Sequence, residues 1–289
     1  MAQKVTIDFE DEYRPTGFDS PWYDKLLAMA QLPTQKERNE AYEEILQDAC
    51  RHTRDRFVKE TCEHDIRPSD LHASFGIPYS YISKFFSGQK SIPTNIMGDV
   101  CYNMFHMSAN ELVFGEPSRI VIPQPLHSVI ERAETGELEN AQVALTEVMN
   151  RYKDRIIRES VHKPIPAALI HERLRSIMDE TGLHLRAAML TNDWIGGVKR
   201  RMQLREDLFE QHVPSVKRLV GYCFRWRLPM DFFLVKDYTR YSELYYRHNG
   251  ELVQIRSKLY RTLVSLYLRL SEDDKVRMMA DCFLACLKN

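Results

Sequence analysis

The chain has 289 residues, 44% of them apolar and 28% charged, with a formal net charge of −1. That length and balance suit a soluble globular protein of about two domains with a sizeable core. Near-neutrality argues against a protein that coats nucleic acid by charge alone, and no apolar run approaches the ~20 residues that a membrane span requires.

In chain order, residues 1–35 read as an N-terminal arm: Pro, Gly and aromatics are scattered through 1–24 without a period, and Pro21-Trp22-Tyr23 could pack as an anchor. The opening M-A-Q-K-V-T-I-D-F-E-D-E has no signal-peptide h-region, which predicts a cytoplasmic chain. Residues 36–120 read as the first domain. From Pro33 to about Glu63 the pattern turns helical, with Tyr42, Ile45, Leu46, Ala49, Phe57 and Val58 mostly on one face.

Residues 66–115 carry the most informative spacing. Pro68 suits a first helical position, and Ser69 and Asp70 add acceptors in that turn. Leu71 and Phe75 are four apart and share a face. Gly76 stands where a helix ends with positive φ, Ile77 plugs the turn, and Pro78-Tyr79 open a second helix. In that helix Ile82 and Phe85 or Phe86 face inward, while Tyr79, Ser80, Tyr81, Ser83 and Lys84 face out as donors to phosphates or base edges. Gly88 closes the helix, and Gln89 and Lys90 follow in a loop that could reach a duplex backbone. A further helix begins at Pro93-Thr94 with Ile96, Met97, Val100, Met104 and Phe105 inward. Ser108 then caps a short helix, with Glu111 three residues on.

Leu71, Gly76, Ile77, Ile82, Gly88, Pro93 and the S-A-N-E-L close at 108–112 make this segment resemble the Xre/Cro, phage-repressor-type helix-turn-helix family. The resemblance covers about a fifth of the chain. It implies a lambda-repressor-like unit whose second helix, 79–86, enters the major groove of double-stranded DNA, with reading by Tyr79, Ser80, Tyr81, Ser83 and Lys84. Phe86 stands where the family usually has a Glu, and Pro68 where it often has a phosphate-contacting Gln.

V-I-P-Q-P at 121–125 reads as a linker that opens a helical connector, 121–165. Its two helices break at Thr135-Gly136. The second carries Leu138, Ala141, Leu145, Val148, Met149, Tyr152 and Ile156 as a packed stripe, and H-K-P-I-P at 162–166 is a boundary. Residues 166–240 read as a second, divergent helix-turn-helix unit. Residues 214–235 superpose on 93–114 without a gap, so that Pro214 meets Pro93, Ser215 meets Thr94, Leu228 meets Met107, Asp231 meets Asn110 and Phe233 meets Leu112. Upstream, 183–202 has the same rhythm with a longer turn: Leu185, Ala188 and Met189 pack, and Trp194–Met202 form the next helix. Two bundles sharing a capped pattern without kinship remains the alternative.

Charge is graded along the chain. Residues 1–65 hold 9 basic and 15 acidic residues, 66–117 hold 3 and 4, and 183–240 hold 11 and 6. Shape therefore favours the first unit as the DNA reader. Charge places phosphates near Lys199, Arg200, Arg201 and Arg205, with the arginines of 218–227 adding to them. The cluster Y-T-R-Y-S-E-L-Y-Y-R at 238–247 reads as helical packing in preference to base stacking. In 241–289, helices are expected from Leu252 to Leu270 and from Asp273 to Leu287, with Ser271 at the cap of the latter. Their stripe Leu259, Leu263, Leu266, Tyr267 and Leu270 fits core in preference to a dimer seam.

No strand alternation is long enough for a sheet, so the fold class expected is all-α. Six cysteines at 50, 62, 101, 223, 282 and 286 form no CxxC pair, which predicts free thiols. Phosphate loops and nucleophile elbows are absent, and Cys62, His64, His72 and His52 match no zinc spacing, so no enzyme, cofactor or metal is expected. The expected function is a tandem DNA-binding transcriptional regulator; a homodimer through the C-terminal helices is an option that would make the arrangement palindromic. The rival class is a protein-interaction module, with a partner docking on the acidic N-terminal part or the C-terminal helices. A regulator whose second half binds a small molecule or peptide ranks below both.

Overall fold

The computed structural model describes residues 21–122, 124–134, 141–155, 167–180, 203–208, 213–226, 228–235 and 238–287, and the structural account is confined to these. Among them 72% are helical and 6% lie in strands. In chain order the elements are α1 (Pro21–Ala30), α2 (Gln35–Glu63), α3 (Pro68–Phe75), α4 (Tyr79–Phe86), α5 (Thr94–Asp99) running into a π-helical turn Val100–Phe105, and α6 (Ala109–Phe114). Then come β1 (Arg119–Val121), α7 (Gln124–Glu134), α8 (Ala141–Tyr152), α9 (Ala167–Glu180), a helical turn at 203–208, α10 (Val216–Trp226) and α11 (Met230–Leu234). The chain closes with β2 (Glu243–His248), β3 (Glu251–Gln254), α12 (Lys258–Leu268) and α13 (Glu272–Leu287).

Contacts divide the described residues into two units: those within 21–118 with those within 167–242, and those within 119–155 with those within 243–287. The two regions expected as separate helix-turn-helix domains therefore share one unit. The expected connector is no spacer, because its helices α7 and α8 pack on α13, and α8 packs on α12 as well.

In the first unit α2 is the spine. Thr34 and Glu37 start it with a capping box: the Glu37 N–H donates to Thr34 Oγ1 at 3.2 Å, and the Thr34 N–H donates to the Glu37 carboxylate at 3.0 Å. Its buried positions Tyr42, Ile45, Leu46, Ala49, Thr53, Phe57 and Thr61 recur at helical spacing, while Val58 is half-buried. The expected arm needs correction over 21–30, which form α1. Trp22 is the anchor foreseen there: it is buried, and its Nε1–H donates to the Phe114 carbonyl at 3.3 Å.

The ungapped register between 93–114 and 214–235 has a physical counterpart. It equates Ala109 with Met230 and Asn110 with Asp231, and these pairs meet. The Ala109 N–H donates to Asp231 Oδ1 at 2.7 Å, and the Met230 N–H donates to Asn110 Oδ1 at 3.1 Å. Each copy thus caps the short helix of the other, satisfying amides that a helix leaves orphaned at its start. Both side chains are fully buried. Asp231 also accepts from the Asn110 N–H at 2.9 Å, Tyr102 Oη at 2.7 Å and Ser118 Oγ, and the Asn110 amide donates to the Glu116 carbonyl at 3.0 Å. α6 packs on α2, and α11 packs on both α6 and α9.

The second unit corrects the all-helical expectation. It contains a three-stranded sheet in the order β1-β2-β3, with β1 parallel to β2 and β2 antiparallel to β3. The tyrosine-rich run expected to be helical supplies β2, where buried Leu244 and Tyr246 alternate with half-buried Glu243, Tyr245 and Arg247. Asn249 and Gly250 have φ of 51° and 86°, the left-handed pair that a two-residue hairpin needs. Leu252–Gln254 accordingly pair as strand and do not start a helix. In 121–125, expected as linker, Val121 ends β1 and Gln124-Pro125 open α7. Ala141, Leu145, Val148, Met149 and Tyr152 of α8 are buried, as are Leu263, Leu266 and Leu270, while Leu259 and Tyr267 of the same C-terminal stripe are half-buried. Tyr152 Oη donates to Asp281 at 2.9 Å, and Arg155 pairs with Asp274 at 2.8 Å.

Candidate nucleic-acid interface

α3, a three-residue turn and α4 form the candidate site, and local signals position each piece. Pro68 opens α3, and the Arg67 N–H donates to the Asp70 carboxylate at 2.8 Å. Gly76 at φ 65° and Gly88 at φ 78° end the two helices in the left-handed region. Leu71, Ile82 and Phe85 are buried. Phe57 of α2 is the hub beneath them: its ring lies 4.9 Å from Phe85, 5.1 Å from Phe105 and 6.1 Å from Phe86, all edge-on. Phe86 also meets Phe85 edge-on at 5.7 Å.

The opposite face of α4 is open. Tyr79, Ser80, Ser83 and Lys84 are exposed, as are Ser69 at the start of α3 and Gln89 and Lys90 beyond α4. Tyr79 is 53% exposed and lies against the His72 ring at 4.5 Å, while His72 Nδ1 contacts the Ile77 carbonyl at 2.8 Å. Tyr81 behaves differently from the others. Its hydroxyl donates to the Ser91 carbonyl at 2.9 Å and Lys90 Nζ sits 4.5 Å from its ring centroid, so it ties α4 to the following loop.

The basic residues expected in the second unit are divided. Lys199, Arg200 and Arg201, with the rest of 183–202, lie outside the described residues. Arg205 is exposed on the helical turn 203–208. Arg218 is turned inward, pairing with Asp207 at 2.6 Å and Glu206 at 3.2 Å, while Tyr222 Oη donates to Asp207 at 2.6 Å. Burial opposes the Arg218 charge, but Asp207 more than offsets it and holds the guanidinium pKa above its ordinary value. Its charge is therefore matched within the fold by Asp207 and Glu206.

Of the histidines that match no zinc spacing, His52 meets Trp22 edge-on at 5.6 Å, and His64 stacks on Phe105 at 5.9 Å. Among the described residues no group of three His, Cys, Asp or Glu side chains is placed to hold a metal ion, and no helix is long and apolar enough to cross a membrane. Cys50, Cys62, Cys101, Cys223 and Cys282 are free thiols, and burial pushes those of Cys101 and Cys223 well above their ordinary pKa. Two features escaped the sequence reading. The Asn110–Asp231 exchange was signalled by the ungapped register, which equates the two positions. The hairpin was signalled by Asn249-Gly250 after an alternating run. No family model, curated protein or solved structure matches this chain.

Proposed function

We propose that the protein is a cytoplasmic, double-stranded-DNA-binding transcriptional regulator of Xre/Cro type that reads a major groove with α4. The observation that carries this reading is the two-faced character of α4. Ile82 and Phe85 seat it on the Phe57 core, and Tyr79, Ser80, Ser83 and Lys84 are left uncovered as hydrogen-bond donors. Ser69, Gln89 and Lys90 flank that face and suit backbone contacts. Tyr81 acts in this reading as a strut for the loop. The exchange of caps between Asn110 and Asp231 supports a tandem in which the chain carries two related units. Such a pair would occupy half-sites about 34 Å apart.

A second reading, a protein-interaction module, draws support from the scarcity of positive charge: Lys84 and Lys90 are the only Lys or Arg between residues 68 and 117. The deciding experiment is fluorescence anisotropy of a mixed duplex pool across a salt series, with Tyr79→Ala/Lys84→Glu and Arg205→Glu variants. Salt-dependent binding lost in the α4 variant is the expected result. Absence of binding at low salt, with helical content intact, overturns the DNA reading in favour of the interaction module.

A further inference from the structure

A cleft of about 700 Å³ opens beside the C-terminal end of α4, a volume suited to a small ligand. Three segments of the first unit build it: the middle of α2, the loop between α4 and α5, and the first turn of α10. The geometry points to this cleft as a binding site for a phosphate group, held by Arg51, Arg54, Lys90 and Lys217.

Four cationic side chains line the cleft, and no carboxylate is among its described lining residues. Acidic partners stand behind three of the four: Asp48 beside Arg51 at 3.0 Å, Asp55 beside Arg54 at 2.7 Å, and Glu43 beside Lys217. Those partners orient the cations in the empty state. The arginine and lysine side chains remain between a quarter and two-thirds exposed, at 62% for Arg51, 33% for Arg54 and 32% for Lys217. Ion pairs this wet are weakly held, whereas a phosphate can engage several of these donors at once and accept both N–H groups of one guanidinium.

Gly88 shows that the arrangement has a backbone requirement. A Cβ at that position would lie 2.1 Å from Arg54 Nη1, so only glycine lets the guanidinium cross the end of α4 at this distance. Lys90 adds a fourth cation, resting on Tyr81 with no carboxylate partner found in the described structure. Phe85, Ile92 and Val216 give the cleft an apolar wall, which suits a phosphate ester better than a bare ion. Because Gln89 and Lys90 belong both to the cleft and to the flank of α4, occupancy would hold that loop against α2 and α10.

The phosphate could be that of a free ester or of a duplex backbone, and one set of titrations separates them. The full chain is titrated calorimetrically in phosphate-free buffer with inorganic pyrophosphate and with adenosine 5′-monophosphate, and by anisotropy with duplex DNA. Arg54→Gln, Lys90→Gln and Lys217→Gln are compared with Lys36→Gln, which lies on α2 outside the cleft. Removing one cleft cation is expected to weaken binding about tenfold, the size of one charge-assisted hydrogen bond, while Lys36→Gln leaves it unchanged. Binding of either small probe with this pattern assigns a free ester. The same pattern seen only with duplex assigns a backbone phosphate. Binding by no probe, or binding indifferent to all three cleft variants with circular dichroism unchanged, overturns the site. The inference is separable from the DNA reading: small-probe binding without duplex binding would sink that reading and leave the cleft intact.

Discussion

Residues 94–114 and 216–234 use one pattern for different ends. In the first copy Ile96 and Met97 are buried. At the equivalent positions of the second, Lys217 pairs with Glu43 and Arg218 pairs with Asp207. The difference is sharpest where the copies touch, since Asn110 and Asp231 are equivalent and each caps the other's helix. A carboxylate only accepts, and Asp231 gathers four donors. An amide both accepts and donates, and Asn110 serves Met230 and the Glu116 carbonyl together. Two carboxylates there would bury like charges side by side. The exchange works because the repeated position is not chemically identical in the two copies.

Several substitutions would break or sharpen that contrast. Asp231→Ala should have the largest effect. It removes the acceptor that two buried amides and two hydroxyls share, at a cost of at least roughly 4 kcal/mol read from urea unfolding. Phe57→Ala empties the hub beneath α4 in the first copy alone and should cost about 3–4 kcal/mol in the same assay. Asp231→Asn keeps one acceptor oxygen but turns an amide toward N–H groups, for roughly 2 kcal/mol. Gly88→Ala and Gly76→Ala form a pair. Both force a side chain into positive φ, at about 1 kcal/mol each, but nothing lies within 4 Å of a Cβ at Gly76, whereas Arg54 must move at Gly88. Gly88→Ala should therefore be the more damaging of the two.

The pH dependence of Asp231 supplies a further test. Burial pushes its carboxyl above the ordinary range, against the pull of Ser118, Tyr102 and the two amides. A folded pKa raised in this way means that the folded state holds the proton longer than the unfolded chain. The stabilisation is complete below the unfolded pKa and is lost as pH rises through the folded one. Urea midpoints of wild type and Asp231→Asn, followed from about pH 3 to 7, should show the wild-type advantage shrinking as pH rises. A constant difference would mean that the four donors hold the carboxyl at its ordinary value.

What could be read in advance was local. Pro68, Gly76, Gly88 and Ser108 set backbone geometry within a turn of themselves, and each sits where it was expected. Periodicity likewise located the buried faces of α2, α8 and α12. The tether from Tyr81 to Ser91 and the matching of Arg218 by Asp207 depend on which elements meet. Residue type and spacing do not carry that information. The sheet lies between these cases. Asn249-Gly250 was a local hairpin signal, but β1 is three residues long and its partner is distant in sequence, so no periodicity reveals it. For the candidate interface, the outward face of α4 was legible, while the Arg51–Arg54–Lys90–Lys217 cleft was not, since three separate segments contribute to it.

The parallel pairing of β1 with β2 joins Arg119 to Glu243 and Val121 to Tyr245. During synthesis β1 emerges long before its partner and must wait unpaired while α9 to α11 are made. Asp231 likewise reaches Ala109 and Asn110 only after α6 has been exposed for the same interval. Closing such long loops is entropically costly and slows folding. Neither unit is a continuous stretch of chain, so cutting after residue 118 would leave α6 its Ser108 cap but remove the Asp231 acceptor. Both the sheet and the Asp231 cap are thus completed only after the chain beyond α9 has been made.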